Sequence, residues 1–181
     1  MRKVVYGGAI SLDGYLARND GSVDWLVYSS DAMKIMQEMW PRFDAMVMGR
    51  KTWETAIKNF SEEDLKKAEE MKGGMRSIVF SRTLEPGRRG SYELLNTDAA
   101  EFVRGMKQLD GKDIMVMGGG ELARSLFEAD LIDEIGFNIH PVFLGSGIPT
   151  FPPMSKQIDL ELAESRPLGG GCVYVTYVVK N

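Results

Sequence analysis

Three stretches of this chain carry residues whose types and spacing could do chemistry on a ligand: Met117-Gly118-Gly119-Gly120-Glu121-Leu122, Gly49-Arg50-Lys51-Thr52 and Ser81-Arg82. In the first, three consecutive glycines let the backbone approach another group closely. The helical spacing of Leu122, Leu126 and Leu131 then points an amino-terminal helix end at that place. Phosphate is the natural occupant, and a glycine-rich strand-to-helix turn with no ligand is the plain alternative. In the second, two cations open a helical pattern, where they oppose the helix dipole unless an anion lies between them. Ser81-Arg82 adds a hydroxyl and a further cation at the end of an apolar run.

Other chemistries are narrowed by scarcity. His140 is the sole histidine and Cys172 the sole cysteine, so triad, Cys-His and multi-ligand metal sites would all pass through single residues, and no metal site is expected. The candidate carboxylate is Asp31, in Ser29-Ser30-Asp31, at a helix amino terminus expected beside the first strand, where capping a helix is the competing explanation; Asp13 and Asp24 are its rivals.

The elements that must position these residues follow from periodicity. Lys3 to Ile10, Asp44 to Met48, Arg76 to Phe80 and Asp113 to Met117 are short apolar runs that suit strands buried on both faces of a parallel sheet. Helices are expected from Ser29 to Trp40, from Gly49 onward, from Ser61 to Lys72, over Asp98 to Leu109 and over Glu121 to Ala129. Tyr92 to Leu95 reads as a short strand, Pro86 to Gly90 and Leu144 to Pro149 as loops, and Glu134 to Val142 as a strand ending near Pro141. Ile158 to Ser165 and Cys172 to Val179 alternate around Gly169-Gly170-Gly171 as an antiparallel hairpin. Ligands of open α/β sheets gather beyond the carboxyl ends of strands, so Ser11/Asp13, Gly49 to Thr52, Ser81-Arg82 and the triglycine fall on one edge. Several N–H-rich or cationic strand ends on one edge imply one large polyanion, best a dinucleotide bearing an extra phosphate.

At 181 residues with no evident linker, one domain spanning 1–181 is expected. A net charge of -4 without a basic face argues against nucleic acid, and Met1 to Ser11 lacks the length of a signal or membrane segment. The lone cysteine fits a cytoplasmic location. Gly118-x-Gly120-x-x-Ala123 resembles a Rossmann fingerprint, yet that motif belongs in a first βαβ unit and here it arrives late.

Ser11-Leu12-Asp13-Gly14, Gly49-Arg50-Lys51-Thr52-Trp53-Glu54, Gly118-Gly119-Gly120, Leu131-Ile132-Asp133-Glu134 and Pro141-Val142-Phe143-Leu144-Gly145, in this order, resemble the dihydrofolate reductase-like superfamily. The branch they resemble most is that of the riboflavin-biosynthesis reductase (RibD C-terminal) domain. The resemblance implies a three-layer αβα fold with a mostly parallel central sheet and antiparallel C-terminal strands. It also implies NADPH as cofactor, hydride transfer to a small heterocyclic or ribosylamino-pyrimidine substrate, and pairing into a homodimer. Gly49, Arg50, Lys51 and Thr52 would hold the pyrophosphate and 2′-phosphate, with Ser81 and Arg82 on the 2′-phosphate and adenine side. Met117 to Leu122, through Gly118, Gly119, Gly120 and Glu121, would receive the diphosphate and nicotinamide ribose, with a cis peptide joining the first two glycines. Ala9, Leu16 and Ala17 would line the nicotinamide under a lid running from Leu12 to Trp25, and Asp31 would assist protonation. Glu121 and Ala123 depart from the residues that authentic dihydrofolate reductases often carry, so activity on dihydrofolate is the alternative, beside a nucleotide-binding protein without turnover.

Overall fold

Successive residues of Asp113–Met117 divide between two separate cores. Ile114 and Val116 join Val4, Tyr6, Val47 and Leu126 on one side, whereas Met115 and Met117 join Val5, Met46, Met48 and Trp53 on the other. A strand whose two faces are both apolar has to be covered on both sides, which dictates helices above and below the sheet. In the computed structural model, which describes residues 1–27 and 29–180, that is the arrangement.

The strands are β1 (Val4–Ser11), β2 (Tyr15–Ala17), β3 (Phe43–Gly49), β4 (Arg76–Phe80), β5 (Gly87–Arg89), β6 (Tyr92–Leu95), β7 (Asp113–Met117), β8 (Glu134–His140), β9 (Ile148–Pro149), β10 (Asp159–Pro167) and β11 (Val173–Lys180). The helices are α1 (Ser30–Met39), α2 (Arg50–Asn59), α3 (Glu62–Lys72), α4 (Ala99–Lys107) and α5 (Gly120–Glu128). Nine strands form one sheet in the order β10-β11-β8-β1-β7-β3-β4-β6-β5. Pairing is parallel from β8 through β6, and antiparallel where β11 joins β8, β10 joins β11 and β5 joins β6. Helices α4 and α5 cover the face of Val103, Met106, Leu122 and Leu126, while α2 covers the face of Trp53. A third small core of Ile35, Leu168, Cys172 and Tyr174 seats α1 over β11. The three-layer αβα architecture expected from the sequence is the one observed.

Three expectations are corrected. Gly87–Arg89, expected as loop, pairs with β6 through backbone alone while its side chains stay exposed, so no apolar alternation marks it. The stretches read as lid and loop contain β2 and β9, which pair with each other. The bonds Leu12 N–H to Val142 O (2.9 Å) and Thr150 N–H to Gly14 O (3.0 Å) extend that contact. Gly147 is the close-packing point: a Cβ there would meet the Ala17 carbonyl oxygen at 2.2 Å. The third correction concerns α1, which lies over β11 rather than beside β1, because its buried residue Ile35 faces Leu168 and Cys172.

Candidate active site

The four adjacent strands β1, β7, β3 and β4 bring Ala9, the triglycine, Gly49 to Thr52 and Ser81-Arg82 to one edge of the sheet. At about 4.8 Å per strand that edge spans about 14 Å, the reach of an extended ligand rather than of one phosphate.

The helices at this edge start differently from the rest. Ser29 caps α1 by accepting from Ala32 N–H (3.1 Å), Ser61 caps α3 through Asp64 N–H (3.1 Å), and Asp98 caps α4 through Glu101 N–H (2.9 Å). By contrast, α2 and α5 have glycine at the cap, Gly49 and Gly119, and neither receives a side-chain acceptor. A helix start exposes N–H groups and a positive dipole end that a cap or an anion would satisfy. Thr52, in the first turn of α2, touches Gly118, so the two starts flank a common point.

The glycines have separate reasons. A Cβ on Gly118 (φ 63°) would fall 2.4 Å from Thr52 Cγ2, and one on Gly120 would fall 2.7 Å from Pro152 Cδ and 2.8 Å from the Pro149 carbonyl. Both are fixed by packing within the fold. No cis peptide occurs among the described residues: Gly118 and Gly119 turn the chain through two successive positive φ angles, 63° and 49°, with trans bonds. Gly49 is different, since its φ of -82° suits any residue and a Cβ would meet nothing within 4 Å. Neither backbone strain nor packing asks for glycine there, and glycine is only one of several good caps, whereas a ligand lying against the α2 start would ask for it.

The side chains expected at this edge are placed as follows. Arg50 is turned along α2 onto Glu54 (2.9 and 3.1 Å), an exposed pair of the kind worth little, and Lys51 and Arg82 are exposed. Ser81 is buried, its Oγ accepting from Thr83 N–H (3.2 Å) and Leu84 N–H (2.9 Å), so it shapes the turn that holds Arg82. Ala9 is half-buried on β1, Leu16 packs against the core, and Ala17 is buried opposite Ile148. Met117 is half-buried, Glu121 pairs with Arg124 (2.8 Å), and Leu122 is in the core, which leaves their backbone to face the edge.

Among the carboxylates, Asp13 is fully engaged: it accepts from Ser11 Oγ (2.6 Å), Leu144 N–H (3.1 Å) and Gly145 N–H (2.7 Å). Desolvation pushes its pKa up, but the Ser11 hydroxyl and the two N–H groups outweigh it and hold the carboxyl below its ordinary value. Asp24 pairs with Arg18 (2.7 Å). Asp31 accepts from Gly169 N–H through Oδ2 (3.0 Å), and its Oδ1 has Lys34 at 3.7 Å. All three carboxylates are thus engaged, Asp13 with the most partners.

Sequence reasoning missed Asn138, which sits on β8 in register with Ala9 and Tyr174. The available signal was an amide in the middle of the apolar run Phe137-Asn138-Ile139. His140 is 2% exposed, and burial lowers its pKa. No metal-ligand cluster of His, Cys, Asp or Glu exists among the described residues, and no helix among them is long and apolar enough to cross a membrane.

The RibD C-terminal domain family matches residues 2–174. The chain belongs to that family. A relative in sequence is the uncharacterized protein YyaP of Bacillus subtilis (strain 168), 29% identical over 180 residues, covering 97% of this chain and 94% of YyaP. In structure, the chain superposes on a Shewanella sp. PV-4 protein assigned provisionally to riboflavin biosynthesis, with TM-score 0.77, 23% identity and full coverage of both chains. It also superposes on Enterococcus faecalis dihydrofolate reductase complexed with NADP(H), with TM-score 0.71 and 14% identity over 99% of this chain and 97% of that one. RibD C-terminal domain membership thus comes with a dihydrofolate reductase-like fold.

Proposed function

We propose that this chain is an NADPH-dependent oxidoreductase of the riboflavin-pathway type, reducing a small heterocyclic or ribosylamino-pyrimidine substrate such as 5-amino-6-(5-phosphoribosylamino)uracil. The observation that carries this reading is Gly49, a glycine that neither φ nor packing requires, at the uncapped start of α2 beside the uncapped start of α5. That cradle fits a diphosphate, with Thr52 and the backbone of Gly118, Gly119, Gly120, Glu121 and Leu122 around it. Arg50, Lys51 and Arg82 would take the 2′-phosphate, Arg50 giving up a weak surface pair to do so. Bound there, the cofactor supplies a hydride. The chain's own work is to hold the ring over Ala9 and Met117, to exclude water with the segment after β1, and to place a proton from Asp31 near the acceptor carbon. The same reading implies a homodimer, supported by the free edge of β10 with its exposed Leu160 and Leu162, and a cytoplasmic site, supported by the lone cysteine.

Titration calorimetry with NADPH and NADH tests the cofactor. NADPH should bind more tightly, and Gly49→Ala should weaken it about tenfold or more while stability falls by about 1 kcal/mol or less. Unchanged affinity in that variant would remove the basis of the proposal. The bond from Asp31 to Gly169 N–H favours a second reading, a nucleotide-binding protein without turnover, in which Asp31 only docks α1. Asp31→Asn separates the two: an enzyme loses substrate-dependent NADPH oxidation with cofactor affinity intact, and a binding module has none to lose.

A further inference from the structure

The one histidine lies where the segment after β1 rejoins the sheet. His140 ends β8, and its Nδ1 accepts the Val27 backbone N–H at 3.2 Å. Cys172 Sγ lies 3.5 Å from the same nitrogen, and the Trp25 ring stands edge-on to the imidazole at 5.3 Å between centroids. Two donors converging on Nδ1 mean that this nitrogen carries the lone pair, so the ring is neutral with its proton on Nε2. The Asn138 amide is 3.2 Å from Nε2, with its nitrogen facing the ring and its oxygen buried without a partner. With the proton on Nε2, turning the amide over gives that proton an acceptor.

We propose that His140 is the positioning residue of residues 12–27: as a neutral Nε2–H imidazole it fastens the Val27 end of that segment, and taking up a proton releases it. A second ring proton on Nδ1 would face the Val27 N–H donor to donor. Among the described residues, the surroundings offer the charged ring no compensation. The β11 side contributes Cys172, whose thiol is pushed up by burial and stays neutral. From β1, Ser11 is the register partner, and its hydroxyl donates to Asp13, whose oxygens are taken by Leu144 and Gly145 N–H. The segment itself contributes Asp24, which is paired with Arg18, and α1 contributes Asp31, which is bonded to Gly169 N–H. The docked form therefore binds the proton more weakly than the released form, and docking is lost as pH falls below the ordinary histidine range. That release also loosens the hold on NADPH rests on the cofactor site proposed above.

Because the chain has a single histidine, its imidazole nitrogens can be read without assignment ambiguity by nitrogen NMR on the whole protein. At about pH 7.5 the ring should show the Nε2–H tautomer, and the Val27 amide protection factor should fall about tenfold or more as the ring titrates toward about pH 5. His140→Asn keeps an acceptor at the Nδ1 position and should give protection that does not change over this range. His140→Leu should leave Val27 unprotected at every pH while the amides of Tyr6, Val47 and Val116 stay protected. An Nδ1–H tautomer at neutral pH, Val27 protection indifferent to ring protonation, or retained protection in His140→Leu would each overturn the proposal. Should either variant fail to fold, the wild-type titration alone decides. NADPH affinity measured across the same range is the separate arm: if NADPH binds at no pH while Val27 still follows the ring, the anchor stands and the cofactor reading falls.

Discussion

The two edges of the central sheet are built to opposite rules. At the amino edge, where β1, β3, β7 and β8 begin, charges are closed on one another: Arg42 donates to Asp113 (3.0 Å) and Glu134 (2.9 Å), Lys3 pairs with Glu134, and Arg2 pairs with Asp44. Asp133 accepts from buried Lys107 (2.7 Å) and from Val4 N–H (2.7 Å). At the carboxyl edge the starts of α2 and α5 have no cap, Gly49 faces open space, and Lys51 and Arg82 are exposed. One edge closes its polar groups on one another across strands; the other leaves two helix starts without a side-chain cap and two cations exposed. Stability and binding should therefore separate by edge.

The sharpest way to break this contrast is Lys107→Met. It strands Asp133 in partly buried surroundings and should cost about 3 kcal/mol in a denaturant melt, with NADPH affinity in the folded protein unchanged. Gly118→Ala should cost about 2 kcal/mol, since it adds a Cβ at a positive φ against Thr52, and it should weaken NADPH as well because the two helix starts move apart. Glu134→Gln should cost about 1 kcal/mol at neutral pH. Burial pushes the Glu134 carboxyl up, but the bonds from Lys3 and Arg42 prevail and hold it below its ordinary value. A carboxyl whose native pKa is depressed stabilises fully above the unfolded value, about 4.5, and loses that contribution as pH falls through the native value. Melts between about pH 6 and pH 3 should thus show a steeper loss in the wild type than in Glu134→Gln. The smallest effect is Glu54→Gln, which frees Arg50 and should tighten NADPH by less than about 1 kcal/mol, more at low salt than at high. Equal losses of stability from both edges would erase the distinction.

The parallel core was legible because Lys3 to Ile10, Asp44 to Met48, Arg76 to Phe80 and Asp113 to Met117 are short apolar runs, the second and fourth followed by helix-start chemistry, a pattern set by burial on both faces. The edge residues were legible for the same reason, since glycine and cations after a buried strand break local rules. What could not be read were contacts made by backbone across long separations. Neither Tyr15–Ala17 nor Ile148–Pro149 has a side-chain pattern that names the other as partner. Likewise Asp13 shows no sign in sequence that the Leu144 and Gly145 N–H groups, some 130 positions on, will occupy it. The position of α1 over β11 depended on Leu168, which lies outside any periodic run, and on Cys172, whose alternating run carries no sign that Ile35 will cover it.

The pairing of β2 with β9 also sets an order on how the chain can be completed. Residues 12–27 take their course from Val142, Ile148, Pro149 and His140, all in the last third of the chain. While the chain is being synthesised, the strand Val4–Ser11 exists long before the residues that fold the following segment back over it. The closing of this segment is consequently a late event in maturation, and a chain cut before residue 140 would leave residues 12–27 without the partners that fold them back.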